Sequence, residues 1–201
     1  MRIRPHLAPA VRATLLTLAL TGIAYPMLAT ALSLLLFPHQ ASGSLVRDDS
    51  GRVVGSELIA QPFASPAYFQ PRPSAAGDKG WDATASGGSN LGPTSKKLRE
   101  RAAAEVERLL RENPGAAAPV PAELVAASGS GLDPHLSPEA AGWQLPRVAA
   151  ARQVSEGRIR VALQDAVEGR DLGFLGEPRV NVLLLNLALD RKFGKPVPPP
   201  R

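Results

Sequence analysis

The chain has 201 residues, a formal charge of +5, 20 prolines, 18 glycines and no cysteine. Without thiols, disulfides, thiolate metal sites and cysteine nucleophiles are excluded, so a folded domain here depends on its core or on a partner. Of the 23 basic residues, three (Arg2, Arg4 and Arg12) precede a charge-free stretch, and the other 20 face 18 acids with no basic stripe and few aromatics, a balance that excludes nucleic acid as a partner.

Residues 13–46 carry no charge, and residues 13–37 are apolar enough to cross a bilayer. At 1.5 Å per helical residue that segment reaches roughly 37 Å against a hydrocarbon core of roughly 30 Å, which predicts a tilted transmembrane helix. The three arginines on its N-terminal side, with no acid before Asp48, predict a cytoplasmic segment 1–12 and place everything beyond Phe37 outside. A cleaved signal peptide is the rival reading, with small-residue sites at Ala29-Thr30-Ala31 and Ala41-Ser42-Gly43. The apolar core is longer than the roughly 7 to 15 residues such peptides use, which favours a retained anchor. Pro26 should kink the span or loosen one turn. Thr21, Gly22 and Ala29 permit close approach of a partner helix, although a lone tether fits the same residues.

The remainder, residues 38–194, has the size of one domain and can bury a core of its own. Leu45-Val46 and Val53-Val54 flank the turn-forming run Asp48-Asp49-Ser50-Gly51, with Glu57-Leu58-Ile59 continuing the second arm, and predict a β-hairpin. Residues 61–93 mix prolines, glycines and aromatics without period, but Phe63, Tyr68, Phe69 and Trp81 argue for an ordered loop. Leu98, Ala102, Val106, Leu109 and Leu110 recur on one helical face between Ser95 and the stop Asn113-Pro114-Gly115. A short helix is expected over 121–127, and Ser137-Pro138-Glu139 starts another that Pro146 should break or restart. Ser155 caps a helix whose Ile159, Leu163, Ala166 and Val167 carry it to Gly169. The run 180–189 fits a buried strand or a helix, and Asn181 as cap with Gly194 beyond the end favours the helix. Residues 195–201 read as a solvated proline-rich tail. The expected fold is therefore α+β, one N-terminal transmembrane helix followed by a single mixed, mainly helical extracytoplasmic domain with a short β-hairpin.

Two glycine-serine segments could carry chemistry: Ser86-Gly87-Gly88-Ser89-Asn90-Leu91-Gly92-Pro93-Thr94, and Ala127-Ser128-Gly129-Ser130-Gly131-Leu132-Asp133-Pro134-His135. Glycine-rich turns beside helix ends can gather backbone amides around a phosphate. Neither segment has the lysine and hydroxyl of a P-loop or the spacing of a dinucleotide fold, so tight structural turns are the better reading. With His6 cytoplasmic and His39 at the membrane edge, His135 is the only histidine within the exported domain; no G-x-S-x-G elbow serves it, and Asp133, His135 and Glu139 lack the helical histidine pair of a metal site. A turn shaped by Asp133-Pro134 with His135 hydrogen-bonded in it accounts for these residues.

Six blocks in order, Gly55-Ser56-Glu57-Leu58-Ile59, Tyr68-Phe69-Gln70-Pro71-Arg72-Pro73-Ser74-Ala75, the two glycine-serine segments, Arg147-Val148-Ala149 with Ala151-Arg152, and Leu175-Gly176-Glu177-Pro178-Arg179-Val180-Asn181-Val182, resemble the C subunit of the bacterial Kdp potassium-transporting P-type ATPase. The resemblance covers nearly the whole chain, departing at Trp81, where tyrosine is expected, and at Pro146. It implies an accessory subunit of an ATP-driven, high-affinity potassium importer in the inner membrane. The implied partners are a multi-span potassium-binding subunit, a catalytic phosphorylated subunit, a very small membrane peptide and membrane lipid. Potassium is then the cargo of the complex, no cofactor is held firmly, and ATP is met only through the catalytic subunit. The residues agree, since there is no D-K-T-G sequence, no P-loop and no ring of membrane carboxylates.

The same family is described as raising ATP affinity, with a block like Ser86, Gly87, Gly88, Ser89, Asn90 likened to a nucleotide-contacting sequence and a glutamine, here Gln144, offered as a contact. The expected topology opposes direct contact, because these residues fall on the side away from cytoplasmic ATP; indirect coupling through the complex is allowed. Ser128, Gly129, Ser130, Gly131, Asp133, His135 and Asn181 are expected to be structural or interface residues. The alternative is a membrane-anchored exported hydrolase that uses the glycine-serine loops near His135.

Overall fold

A computed structural model describes residues 4–117 and 119–196, so Arg2 and residues 197–201 of the proline-rich tail lie outside the described residues. The chain divides between Leu45 and Val46 into two compact units. The first is built from α1 (Arg4–Ala19), a π-helical turn (Leu20–Ala24), α2 (Tyr25–Leu36) and the short α3 (Pro38–Ala41). From Pro5–Leu36 it forms a helical stretch long and apolar enough to cross a membrane. The expected loosening at Pro26 is present: the turn before it is widened, with the Tyr25 N–H reaching back five residues to the Leu20 carbonyl. The Thr21 hydroxyl donates to the Thr17 carbonyl at 2.8 Å, satisfying an acceptor that no water would reach in a bilayer.

The predicted hairpin begins at this division, as β1 (Leu45–Arg47) and β2 (Val53–Ser56). Its turn is fixed by Asp48, whose carboxylate accepts from the Ser50 and Arg52 backbone N–H groups at 2.9 and 3.0 Å. These bonds hold the Asp48 carboxyl well below the usual range, the Ser50 hydroxyl contributing most. The second arm stops at Ser56 instead of continuing through Ile59, because the Ser56 hydroxyl captures the Leu58 N–H at 3.1 Å and turns the chain.

Helix α4 (Lys96–Glu112) lies where periodicity and caps put it, with Ser95 accepting from the Leu98 N–H. The segment after Pro121 forms only a 3-10 turn (Ala122–Leu124), shorter than the helix expected there. Helix α5 (Pro138–Arg152) starts at the Ser137 cap and runs straight through Pro146. The local penalty of about 3 kcal/mol is outweighed by tertiary packing, since Leu145 and Val148 on either side are fully buried. Helix α6 (Glu156–Asp165) ends before Gly169, because Val167–Glu168 peels off as strand β4.

The run 180–189 resolves into both of its readings. Arg179–Asn181 is a strand, β5, and Asn181 then caps α7 (Val182–Phe193) by accepting from the Leu184 N–H at 3.2 Å. β5 is the middle of a three-stranded antiparallel sheet in the order β3 (His135–Leu136), β5, β4. His135 pairs with Asn181, and Val180 pairs with both Leu136 and Val167. Helices α5 and α7 cover this small sheet, and α6 packs against both helices. Together they bury Leu136, Leu145, Ile159, Val180, Leu185 and Leu189 around Phe69, which the irregular segment 61–93 contributes from outside any element. A buried phenylalanine of this kind stabilises by about 2–3 kcal/mol, which explains why a loop without secondary structure is ordered.

Candidate functional site

The two glycine-serine segments, more than 40 residues apart in sequence, lie directly against each other. The Gly87 N–H donates to the Ser130 carbonyl at 2.8 Å and the Ser86 hydroxyl to the same oxygen at 3.1 Å. A Cβ on Gly88 would stand 3.1 Å from the Gly129 carbonyl oxygen. The tightest point is Gly131, whose φ is +69° and whose absent side chain leaves room for the Gly87 carbonyl at 2.6 Å and the Ala76 nitrogen at 2.7 Å. Gly129, by contrast, has open space and no left-handed backbone. Asn90 is exposed in the left-handed region, with φ 51°.

Ser74 fastens this contact from a third segment: its hydroxyl donates to the Gly131 carbonyl at 2.6 Å and accepts from the Trp81 N–H at 2.8 Å. Downstream, Asp133 accepts from the His135 N–H at 3.0 Å, stands 3.3 Å from the His135 Nδ1 and pairs with Arg72 at 3.4 Å. Hydrogen bonding by His135 is the main reason the Asp133 carboxyl titrates low. Asn181, beside His135 in the sheet, also donates from its side-chain amide to the Glu57 carbonyl at 2.8 Å, tying the end of the hairpin to the start of α7.

No serine–histidine couple exists here. The Ser128 and Ser130 hydroxyls sit 3.3 Å from each other, and their remaining bonds run to the Asp133 and Leu132 N–H groups within the same turn. Nothing in this arrangement supports the hydrolase alternative. Among the described residues, no three histidines and carboxylates converge on a common point.

Gln144 lies elsewhere, buried in the middle of α5. Its amide makes a reciprocal pair with the Gln70 backbone, accepting the N–H and donating to the carbonyl, both at 2.9 Å. Asn186 of α7 does the same one residue earlier, pairing with the Phe69 N–H and carbonyl at 2.9 Å. Two buried amides on two helices thus act as a one-residue strand on either side of the chain. Arg147 extends this grip, donating to Asn113 at 2.8 Å, to the Tyr68 carbonyl at 3.0 Å and to Gln144 at 2.7 Å. Burial pushes its guanidinium down to about 10, which leaves it charged at neutral pH.

Arg152 completes the clamp. Its side chain is 2% exposed and donates to the Ala67 carbonyl at 2.7 Å, the Gly194 carbonyl at 3.0 Å and Asp190 at 2.8 Å, while its guanidinium covers the Tyr68 ring at 5.0 Å. The Tyr68 hydroxyl donates to the other Asp190 oxygen at 2.9 Å. Burial first, and then this bond to a carboxylate, push the Tyr68 phenol up to about 12. A raised folded-state value favours the protonated fold, so the contribution is complete below pH 10 and disappears as pH rises through about 12. Tyr68→Phe should therefore flatten the alkaline fall in stability by on the order of 1 kcal/mol after solvent screening, read as the difference in thermal midpoint between pH 9 and pH 11.5. An unchanged slope would show that the phenol is not the group responsible.

Of the residues expected to matter, Ser86, Gly87, Gly88, Ser128, Ser130 and Gly131 are brought together, and Asp133, His135 and Asn181 continue from them. Gln144 serves a different backbone segment. Arg147 and Arg152 stand in one of the resembling blocks without an assigned role and Asn186 stands in none, although a lone asparagine inside the apolar run 182–189 and two arginines in a helix rich in alanine are signals.

Comparison with known proteins finds relatives along nearly the whole chain. The profile of the family described as "KdpC: K+-transporting ATPase, c chain" matches residues 7–191. A "Potassium-transporting ATPase KdpC subunit" of Myxococcus xanthus is 64% identical over 189 residues, covering 94% of this chain and 89% of the relative. Proteins of the same name from Sorangium cellulosum and Methylobacterium nodulans are 57% and 53% identical, covering 92% and 96% of this chain and 97% and 98% of their own lengths. With one apolar N-terminal helix, one α+β domain and this coverage, the chain belongs to the KdpC family.

Proposed function

We propose that this chain is the accessory, non-catalytic C subunit of an ATP-driven potassium importer. It is held in the inner membrane by its N-terminal helix, with the N-terminus in the cytoplasm and the folded domain outside. The observation that carries the reading is the full-length kinship with potassium-transporting ATPase subunits. Its physical task is assembly: the span and the domain hold a multi-span potassium-binding subunit, the catalytic subunit and a small membrane peptide in one complex. The side chains suggested for nucleotide contact favour this task, because Gln144 is spent on Gln70 and Arg147, and Ser86 and Gly87 are spent on Ser130. Any effect on ATP affinity then passes through the complex as a difference in binding to two pump states.

Purification of the tagged chain in detergent should bring down a phosphorylatable subunit with potassium-stimulated ATPase activity, and protease added to spheroplasts should digest the domain. Isolation of the chain alone, or full protection, would overturn assembly or topology respectively. In the same complex Gly88→Val, which crowds the Gly129 carbonyl, should lower the yield of complex and leave the apparent ATP affinity of what assembles unchanged. Normal yield with a tenfold loss of ATP affinity, about 1.4 kcal/mol of coupling, would favour direct nucleotide contact.

A further inference from the structure

Among the described residues of the folded domain, the loop between β4 and β5 presents the two most exposed large apolar side chains, Leu172 at 83% and Phe174 at 70%, with Leu175 beside them at 49%. It is no slack connection. Asp171 and Leu175 exchange N–H and carbonyl groups at 2.9 Å in both directions, the Gly173 N–H closes on the Arg170 carbonyl at 3.1 Å, and Leu172 is held at φ 54°. Three ion pairs brace the base: Arg170 with Glu177 at 2.8 Å, and Arg179 with Glu168 and Asp171 at 3.0 and 3.1 Å. Keeping three apolar groups in water on a braced tip gains nothing for the isolated domain, whereas a preorganised tip loses little entropy on docking.

We propose that this loop is a docking finger that inserts Leu172, Phe174 and Leu175 into an apolar depression on another subunit of the same ATPase. The proposal rests on the assembly reading above. The charges around the tip select the occupant. Arg170 and Arg179 are outnumbered by Glu168, Asp171 and Glu177, so the rim carries a net negative charge and is repelled by an anionic lipid surface. A second copy of the chain meeting tip to tip fits no better, because two rims of the same net negative charge would face each other. A protein depression with apolar walls and a basic rim matches both the tip and its base.

A photo-reactive benzoylphenylalanine in place of Phe174, in the full chain expressed with its partners, tests this. Irradiation should cross-link position 174 to a different subunit of the purified complex. The same analogue at Glu107, a 73% exposed position on α4, should not cross-link there. With the complex intact, cross-linking to lipid, to a second copy of this chain, or to nothing at all overturns the proposal. So does equal cross-linking from both positions. As a second measurement, the Leu172→Asp/Phe174→Ser variant should keep its thermal midpoint within a few degrees but yield at least fivefold less complex; a yield within twofold of the parent overturns docking even where the cross-link forms. If the parent chain itself brings down no ATPase subunit, the assembly reading fails together with this one, which separates the two failures.

Discussion

Gly131→Val is expected to destabilise the domain by about 2–5 kcal/mol, the largest effect of any single glycine substitution in the glycine-serine loops. Two costs coincide there: a β-branched residue in the left-handed region, about 1–2 kcal/mol, and overpacking against backbone atoms that cannot rotate away, about 1–3 kcal/mol. The backbone atoms are the Gly87 carbonyl and the Ala76 nitrogen, both under 3 Å from the position of the new Cβ. For a domain of this size the thermal midpoint should drop by roughly 5–15 °C. Gly129→Ala, two residues earlier, should stay within about 0.5 kcal/mol of the parent, since its Cβ meets open space. Equal effects at the two positions would mean that the loops are not in register as described.

Arg152→Met should cost about 3–5 kcal/mol, measured by denaturant unfolding. The substitution replaces the aliphatic stem but leaves Asp190, with a side chain only 12% exposed, as a charge without its cation. The Ala67 and Gly194 carbonyls lose their donor as well. Adding Asp190→Asn should recover part of the loss by removing the uncompensated charge, so the cycle closes with a coupling of the order of 1 kcal/mol or more. Strict additivity would show that the pair is not an energetic unit.

The elements that sequence reading located are those whose signals are local. Ser95 and Asn113 bracket α4, Ser137 opens α5 and Asn181 opens α7, because a capping side chain and a period of 3.6 act within one or two turns. The three-stranded sheet was invisible for the opposite reason. Its strands are two or three residues long, too short to show alternation, and β4 was absorbed into the helical pattern of α6. In the glycine-serine segments the residue types pointed to close packing, but composition cannot say which glycine carries the left-handed turn. Gly88, Gly129 and Gly131 read alike in the sequence; the crowded left-handed position is Gly131. Gln144 and Asn186 were opaque because a buried amide declares itself only when the backbone it satisfies, here Gln70 and Phe69, is known.

The central strand β5 has a consequence for the order of events in biogenesis. It is the last strand to be synthesised, yet both other strands pair only with it, and the amide that holds Phe69 sits 117 residues downstream of it. Synthesis therefore delivers residues 61–93 before the α7 side chains that hold Tyr68 and Phe69 have been made. The packing around Phe69 therefore closes only after the C-terminal helix arrives, with the slow rates that long loop closures impose. Until then Phe69, Leu136 and Ile159 stay open to chaperones and proteases, and a chain truncated before residue 179 is expected to be degraded.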